Sequence, residues 1–305
     1  MLHNERAEFL KILERTSAQT SFPLRLLEKD YYITIVLSRI NQLSNDLVFK
    51  GGTCLSKIYY SYYRLSEDLD FTLKLPIDKI TRTVRRNAIR PIKESLKPFL
   101  KDLGMSIEGM EGRGHRESAQ YIYYLDYDSV VLNRKESIKL EIGLRFNPLL
   151  DAATKKVNHK FLHPFTREPL FDGGSVNCLA LKELVAEKLR AAATREVIAG
   201  RDFYDLGFLL KEGFDFGDEE FLTVFRKKLG EDGFSSDLKE YRVNLGRTDA
   251  EIMAMKTRTE DELFPVLTLD EQKAFDMEKT LEGLNMIVRL YCSPLRNRPK
   301  YGSIS

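Results

Sequence analysis

The chain has 305 residues, and its 48 Lys and Arg against 46 Asp and Glu give a formal net charge of +2. Hydrophobic residues make up 43% and charged residues 31% of the sequence, which is typical of a folded globular protein and excludes wholesale disorder. No stretch approaches the roughly 20 apolar residues of a membrane-spanning helix, so we expect no membrane partner. The net charge excludes a polybasic nucleic-acid binder at the level of the whole chain, although it leaves room for segregated patches.

The cysteines and the first residues indicate the compartment. Cys54, Cys178 and Cys292 lie far apart and form no CxxC pair, so neither a disulfide framework nor a structural zinc site is expected. The first residues, MLHNERAEFLKILERTS, are charged and lack the apolar centre of a signal peptide. We therefore expect a cytoplasmic protein.

The first 75 residues show helix patterns and strand patterns in turn. Pro23 fits the first turn of a helix, and Gly51-Gly52 ends a short apolar run in the way that a tight turn ends a strand. From apolar spacing we predict helices over residues 5–16, 24–43 and 53–62, and strands over 47–50 and 68–75.

Strand patterns cluster before residue 150, and helix patterns dominate after residue 178. We expect Pro91 to divide a helix over 78–103 into two pieces. The later predicted elements are strands over 119–127 and 137–146, and helices over 179–195, 202–212, 218–229 and several more to about 292. The stretch 147–178 is rich in proline and glycine, as domain boundaries are. We therefore predict an α+β fold with two domains, over residues 1–150 and 151–305.

The turn Gly51-Gly52-Thr53 lies between a predicted strand and a predicted helix. Such a junction exposes backbone N–H groups at a helix N-terminus, where the free donors and the helix dipole favour an anion such as a phosphate. The Thr53 hydroxyl and the Lys57 ammonium would add to this site. A tight turn with an N-cap explains the same residues without a ligand, so two interpretations stay open.

Asp68 and Asp70 lie on the polar face of a predicted strand whose other face carries Leu69 and Phe71. Two carboxylates placed in this way can converge on one divalent metal such as Mg²⁺ or Mn²⁺. Glu141, in the later strand IKLEIGL, is a candidate third ligand. Two-metal phosphoryl transfer uses such a set of acids. The alternative is that these acids only solvate the polar face of an edge strand.

Lys188 falls on or beside the apolar stripe of the helix predicted over 179–195. It snorkels to solvent, pairs with a buried acid, or holds nucleotide phosphates as a point charge. Asp202 and Asp205 lie one helical turn apart in the next helix. They serve as a helix cap and as a local ion-pair partner, or they belong to the same site as Lys188.

Residues 79–101 carry eight basic side chains against the single acid Glu94. On a continuous helix most of these cations form one stripe. The stripe is a solvated face, or it grips the phosphate backbone of RNA in a salt-dependent contact. The candidate RNA-binding residues are Arg82, Arg86, Arg90, Lys93 and Lys97.

Residues 49–75, FKGGTCLSKIYYSYYRLSEDLDFTLKL, resemble the nucleotidyltransferase toxins of the AbiEii/AbiGii type, which include the MenT toxins. That family belongs to the polymerase-beta-like nucleotidyltransferases, whose signature is GG or GS followed by DxD. The segment LLEKDYYITIVL is similar to the family's N-terminal helix, and AEKLRA followed by RDFYDL is similar to its lysine and RDxxD motifs. The resemblance spans residues 24–210, and Cys54, Ser56 and Lys57 depart from the small or arginine residues expected after GGT.

The resemblance implies a polymerase-beta-like catalytic domain with a small mixed sheet and N-terminal helices over 1–150. It also implies a mainly helical domain over 151–305 that completes the active-site cleft. The implied reaction transfers NMP from an NTP to an acceptor hydroxyl, with pyrophosphate as the leaving group. The implied acceptor is RNA such as a tRNA 3' end, and the implied regulator is a cognate antitoxin protein.

The residues and the resemblance together give the predicted site. Carried over from the family, Lys188 contacts the nucleotide, Asp202 is an essential acid that orients Lys188 or the acceptor, and Asp205 is supportive. The predicted catalytic residues are Asp68, Asp70, Lys188 and Asp202. The predicted metal ligands are Asp68, Asp70 and Glu141. The predicted nucleotide-binding residues are Gly51, Gly52, Thr53, Lys57 and Lys188.

Two other functions are compatible with these residues. One is nucleotidyl transfer to a protein or a small molecule, which neutralising Arg82, Arg86 and Lys93 would spare. The other is non-catalytic binding on the same fold, which would show no Mg²⁺-dependent NTP binding. The choice of base rests on pocket contacts that spacing in a sequence does not reveal.

Overall fold

The computed structural model describes residues 1–76, 80–107, 114–115, 118–195, 199–234 and 248–292. The chain forms two compact units. Unit 1 comprises Met1–Leu181 with Val266–Leu269, and unit 2 comprises Lys182–Pro265 with the described residues from Asp270 onward. Unit 1 continues past residue 150 because two further strands, at Ala153–Lys156 and Ser175–Cys178, join its sheet.

Within the described residues, unit 1 contains one mixed sheet of seven strands. The strands are β1 (Leu47–Lys50), β2 (Leu69–Leu73), β3 (Gly114–His115), β4 (Gln120–Asp128), β5 (Lys135–Gly143), β6 (Ala153–Lys156) and β7 (Ser175–Cys178). Their order is β3-β4-β5-β2-β1-β7-β6. At the centre, β2 pairs antiparallel with β1 and parallel with β5, which confirms the predicted mixed sheet.

Besides the short 3₁₀ turns Leu2–Asn4 and Ile40–Gln42, the described residues of unit 1 form four α-helices and one π-helical turn. They are α1 (Arg6–Thr20), α2 (Leu24–Arg39), α3 (Gly51–Cys54), the π-helical turn Leu55–Tyr59, and α4 (Arg82–Asp102). Tyr32 of α2 stacks on Tyr127 of β4 with ring centroids 4.1 Å apart, and Lys93 of α4 lies 4.7 Å from the ring centroid of Tyr121. Because side chains alternate along a strand, α2 and α4 contact the same face of β4.

α4 is one uninterrupted helix that contains both Pro91 and Pro98. The prediction that Pro91 divides this helix is wrong. Each proline lacks the N–H that would bond the carbonyl four residues earlier, on Asn87 or Glu94. All four of these residues are exposed, so water takes the place of the missing donors and the helix continues.

The strands β6 and β7 lie within residues 147–178, for which the sequence pattern predicts a loop-rich domain boundary and no strands. Their sequences, ATKK and SVNC, are short and contain few apolar residues. They are held by pairing with each other and with β1, where Phe49 is opposite Cys178. Tertiary pairing of this kind outweighs a weak local strand pattern.

The described residues of unit 2 form helices joined by loops, with no strand among them. Its helices are α5 (Leu181–Thr194), α6 (Gly200–Lys211), α7 (Glu219–Glu231), α8 (Asp249–Glu262), α9 (Leu269–Ala274) and α10 (Met277–Cys292). Gly200 lies against Thr259 of α8, and Gly207 lies against Thr280 of α10. Both glycines therefore allow neighbouring helices to approach α6 closely. No helix in the described ranges is long and apolar enough to span a membrane.

Candidate active site

The register of the central strands brings three charged residues together in unit 1. Asp70 of β2 is directly opposite Lys50 of β1 on one side and Glu141 of β5 on the other. Residues paired in register point to the same face of a sheet. Ile122 of β4 pairs with Glu141, so this face is opposite the one that α2 and α4 contact. Asp70 and Glu141 therefore lie side by side on one face of the sheet, as the sequence predicts.

Asp70 carries a negative charge that its surroundings compensate only in part. Burial, together with the charges of the Glu141 and Asp68 carboxylates, raises the pKa of Asp70 to about 6, against the opposing effects of Lys50 and Lys139. A bound cation would relieve this repulsion among the acids. At neutral pH the carboxyl group is nevertheless mostly ionised, as a metal ligand must be.

Glu141 already has two partners. Lys139 Nζ lies 2.8 Å from one carboxylate oxygen, and Gln120 Nε2 donates to the other at 2.6 Å. Burial disfavours the charged form of Glu141, but the hydrogen bond and the charge of Lys139 outweigh it, so the pKa of Glu141 is lowered. Direct metal ligation by Glu141 would require a change in the contact with Lys139, and it stays a prediction.

Thr53 fixes the turn to the start of β2. Its buried hydroxyl lies 2.5 Å from the carbonyl oxygen of Asp68 and 2.8 Å from Ser66 Oγ. Because a hydroxyl has one proton and a carbonyl has none, Thr53 donates to Asp68 and accepts from Ser66. The side chain of Thr53 thus positions Asp68, and it is not free to supply the predicted hydroxyl to a phosphate.

Both the backbone conformation at residue 51 and the closeness of a neighbouring side chain require a glycine there. Its φ of +78° lies in the left-handed region, and a Cβ at this position would overlap the carboxylate of Asp70. At Gly52 a Cβ would come within 2.5 Å of the guanidinium of Arg64. The Gly-Gly pair therefore brings the turn against Asp70 on one side and Arg64 on the other.

Gly51→Ala is expected to lower the rate of the predicted nucleotidyl transfer at least about tenfold. A side chain at φ of +78° costs roughly 1–2 kcal/mol, and the added methyl group displaces the Asp70 carboxylate. Initial rates with a labelled NTP test this, and urea denaturation shows how much fold stability is lost. The matched control is Gly213→Ala, which has φ of +75° but open space around the Cβ position. Equal activity losses in both variants would contradict the role given to Gly51.

Lys57 lies in a buried cluster and not at the Gly-Gly turn. Its ammonium is 2.8 Å from Asp30 Oδ1 and also contacts the hydroxyl of Tyr62, which donates to Asp30 Oδ2 at 2.9 Å. The side chain is 1% exposed, and burial lowers the pKa of Lys57 despite the charge of Asp30. The structure therefore corrects the prediction that Lys57 binds a phosphate, because its charge is used within the core. Asp30 is not predicted from the sequence, where its only signal is that it is one of several charged residues in a largely apolar helix.

In unit 2, Lys188 pairs with both acids of the following helix. Lys188 Nζ is 2.9 Å from Asp202 Oδ1 and 2.8 Å from Asp205 Oδ2, and Arg195 contacts the other oxygen of Asp202 at 2.7 Å. Lys188 is 13% exposed. The three residues that the sequence analysis singled out in this region thus form one cluster. Lys188 thus pairs with buried acids, and its contact with nucleotide phosphates stays a prediction.

A preformed metal centre is not found among the residues that the structure describes. No group of three or more His, Cys, Asp or Glu side chains there could hold a metal ion. The donor set that fits a hard cation best is the pair Asp68 and Asp70, because such a cation prefers carboxylate oxygens and the charges of Glu141 and Asp68 help to raise the pKa of Asp70. Metal ligation remains a prediction for this pair.

The basic stripe lies on the exposed side of α4. Its buried side consists of Ile89, Ile92, Leu96, Phe99 and Leu100. Of the five candidate RNA-binding residues, Arg82, Arg86, Arg90 and Lys97 are exposed, whereas Lys93 is half-buried against Tyr121. Thr83, Arg86, Asn87 and Arg90 line a shallow depression of about 220 Å³.

With this geometry in view, residues 35–284 match the family described as "Nucleotidyl transferase AbiEii toxin, Type IV TA system". The chain belongs to the AbiEii family. It is therefore a nucleotidyltransferase of a toxin–antitoxin family, which confirms the resemblance read from the Gly-Gly turn and the DxD motif. AbiEii membership also implies an NTP substrate and a cognate antitoxin.

Two solved structures share the fold of this AbiEii protein. MenT4, a nucleotidyltransferase toxin from Mycobacterium tuberculosis, is similar with a TM-score of 0.53 at 18% identity, over 92% of this chain and 98% of that one. JHP933 from Helicobacter pylori is similar with a TM-score of 0.52 at 17% identity, over 89% of this chain and 93% of that one. At these identities the likeness shows the fold alone. No match is found among curated proteins.

Proposed function

We propose that this AbiEii protein transfers NMP from an NTP to a hydroxyl of an RNA acceptor, such as a tRNA 3' end, in a metal-dependent reaction. The observation that carries the proposal is the position of Asp70, which lies between Lys50 and Glu141 in the sheet and against Gly51. The partly compensated charge of Asp70 suits a divalent cation. The family supplies the reaction class, and the side chains supply the site.

In this mechanism Asp68 and Asp70 would hold Mg²⁺ or Mn²⁺. A divalent ion bound to carboxylates neutralises phosphate charge and activates an attacking oxygen. The Gly51-Gly52 turn brings backbone close to Asp70, so we assign the NTP phosphates to this turn. Thr53 holds the start of β2 in place through the Asp68 carbonyl. The acceptor hydroxyl oxygen would form a bond to the α-phosphorus while its proton passes to solvent. The bond from the α-phosphorus to the bridging oxygen of the β-phosphate would break, and pyrophosphate would leave.

The cluster in unit 2 contributes a second set of proposed roles. We assign Lys188 to the nucleotide phosphates, with Asp202 as the essential acid that orients Lys188. Asp205 supports the same ammonium from the other side, at 2.8 Å. Ion pairs of this quality hold a lysine in one rotamer, and a fixed cation stabilises developing negative charge better than a mobile one.

Calorimetry with NTP tests whether the protein is an active enzyme or a non-catalytic member of the fold. We expect each NTP substrate to bind in the presence of Mg²⁺ and to bind much more weakly with a chelator. Equal binding with and without Mg²⁺ would contradict metal dependence. No binding of any NTP would indicate a protein that retains the fold for interaction only.

We propose RNA as the acceptor because α4 presents a row of exposed cations in unit 1. Arg86, Arg90 and Lys97 are expected to contact phosphates, each contributing about 0.7–0.9 to the dependence of log affinity on log salt. Replacing all three by Gln should weaken RNA binding at least about tenfold, lower the salt slope by about 2–3, and leave the KM for NTP unchanged. Fluorescence anisotropy at several salt concentrations measures both quantities.

The matched control for these variants replaces the exposed lysines Lys227, Lys273 and Lys279 by Gln, which removes the same charge elsewhere. RNA affinity should fall little in this control. Equal losses in the two triple variants would indicate a general charge effect. Full transfer by the α4 variant would instead favour a protein or small-molecule acceptor.

Localisation in the cytoplasm also stays a proposal, which cell fractionation tests.

A further inference from the structure

β4 presents an exposed aromatic side chain on the same face of the sheet as the proposed site. The odd-numbered residues of Tyr121–Tyr127 are buried, whereas Tyr124 is 57% exposed. Tyr124 pairs in register with Lys139 of β5, and its neighbour Ile122 pairs with Glu141. Tyr124 therefore points to the face that carries Glu141 and Asp70, away from the face that α2 and α4 contact.

The distance from Tyr124 to the carboxylates follows from the strand order. One strand, β5, separates β4 from β2, so two strand spacings of about 4.8 Å place Tyr124 roughly 10 Å from the strand that carries Asp70. Lys139 lies between them, with its ammonium on Glu141. Across this face the order is thus an aromatic ring, a cation and then the acids, over a span that a short stretch of nucleic acid covers.

Exposure alone does not distinguish Tyr124, because single exposed apolar side chains are common on protein surfaces. Its position does. The other exposed large hydrophobic side chains in the described ranges lie outside the strands of the sheet: Met1, Phe165, Phe234, Met253, Leu269 and Met286. Among these described residues, Tyr124 alone combines a flat exposed ring with a place beside the acids.

We propose that Tyr124 is a stacking platform for a nucleobase at this site, an inference that rests on the proposed nucleotidyl transfer. Exposed rings next to a cation are the usual arrangement for holding single-stranded bases without sequence readout. The base comes from the incoming NTP or from the end of the RNA acceptor. Both sources present the same aromatic face, and separate measurements on each substrate distinguish them.

Tyr124→Ala tests this proposal, with Tyr124→Phe as the variant that keeps the ring. Loss of stacking should lower the affinity for one of the two substrates by about 5- to 150-fold. We expect this rise in the KM of either NTP or RNA, with kcat changed less than about threefold, and we expect Tyr124→Phe to behave as the native protein does. Phe165→Ala, which removes an exposed ring outside the sheet, should leave both KM values unchanged.

A binding measurement separates this inference from the proposed function. RNA that carries 2-aminopurine as its last base reports stacking by a loss of fluorescence, and NTP affinity is measured by calorimetry. If Tyr124→Ala binds NTP with lower affinity, the base that stacks on Tyr124 is that of the NTP. If Tyr124→Ala no longer changes the 2-aminopurine fluorescence, the base is that of the RNA. Native affinity of Tyr124→Ala for both substrates overturns the stacking role and leaves the proposed function standing. If the native protein transfers no nucleotide, the proposed function fails, and the two binding measurements still decide the role of Tyr124.

Discussion

Asp70→Asn is expected to reduce kcat for nucleotidyl transfer about a thousandfold or more. The amide keeps the shape of the side chain but cannot ligate a divalent cation as a carboxylate does, so several kcal/mol of charge stabilisation in the transition state are lost. Initial rates with a labelled NTP, together with the affinity for Mn²⁺, measure this effect. The matched control is Asp128→Asn, which removes an exposed acid from the end of β4.

Stability distinguishes a functional Asp70 from a structural one. The pKa of Asp70 is raised from 3.8 to about 6 in the folded protein, so the folded state binds this proton more tightly than the unfolded chain. Ionisation of Asp70 therefore costs stability, and this cost grows as the pH rises from about 4 to about 6. Without a metal, Asp70→Asn should melt at or above the native temperature at pH 7, and the difference should vanish near pH 4. A variant that is inactive and strongly destabilised at pH 7 would contradict this assignment.

Lys57→Met is expected to destabilise unit 1 by about 3–5 kcal/mol, because it leaves the carboxylate of Asp30 buried without its cation. The side chains of Lys57 and Asp30 are 1% and 3% exposed, so water does not screen the loss. The partner Tyr62 can donate one hydrogen bond to Asp30, which does not replace a full positive charge. Urea denaturation measures the change in the free energy of unfolding.

The control for this prediction is a double-mutant cycle. Asp30→Leu combined with Lys57→Met removes both charges and should recover much of the stability lost in either single variant. A single Lys57→Met variant with native stability but a raised KM for NTP would contradict the buried-pair assignment. That result would restore the phosphate contact that the sequence suggested for Lys57.

The sequence predicted the core of the candidate site because local patterns define it. Alternation along residues 68–75 placed Asp70 on the polar face of β2, and the structure puts it there. The glycines at 51 and 52 indicated a tight turn, and Gly51 has the left-handed φ that such a turn requires. Both signals depend on residues close together in the chain, where backbone geometry and side-chain direction follow directly from the residue types.

The features that the sequence did not predict depend on partners far apart in the chain. Lys57 looked like a cation near the turn, but its position in a π-helical segment directs it to Asp30, 27 residues earlier. Gln120 was not singled out, since its contact with Glu141 arises only when β4 and β5 pair. The contact of Lys139 with Glu141 is instead local, between side chains two residues apart on the same face of β5. Pro91 stays within α4 because packing of the buried side of the helix outweighs the lost hydrogen bond.

Incubation of the protein with total RNA, Mg²⁺ and each labelled NTP in turn tests the central claim most directly. The claim is that Asp68 and Asp70 hold the metal for transfer of NMP to RNA. It predicts that at least one nucleotide labels RNA, that a chelator abolishes the labelling, and that Asp70→Asn does the same. RNA labelling that persists in the chelator or in Asp70→Asn, or the absence of label with all four nucleotides, would contradict it.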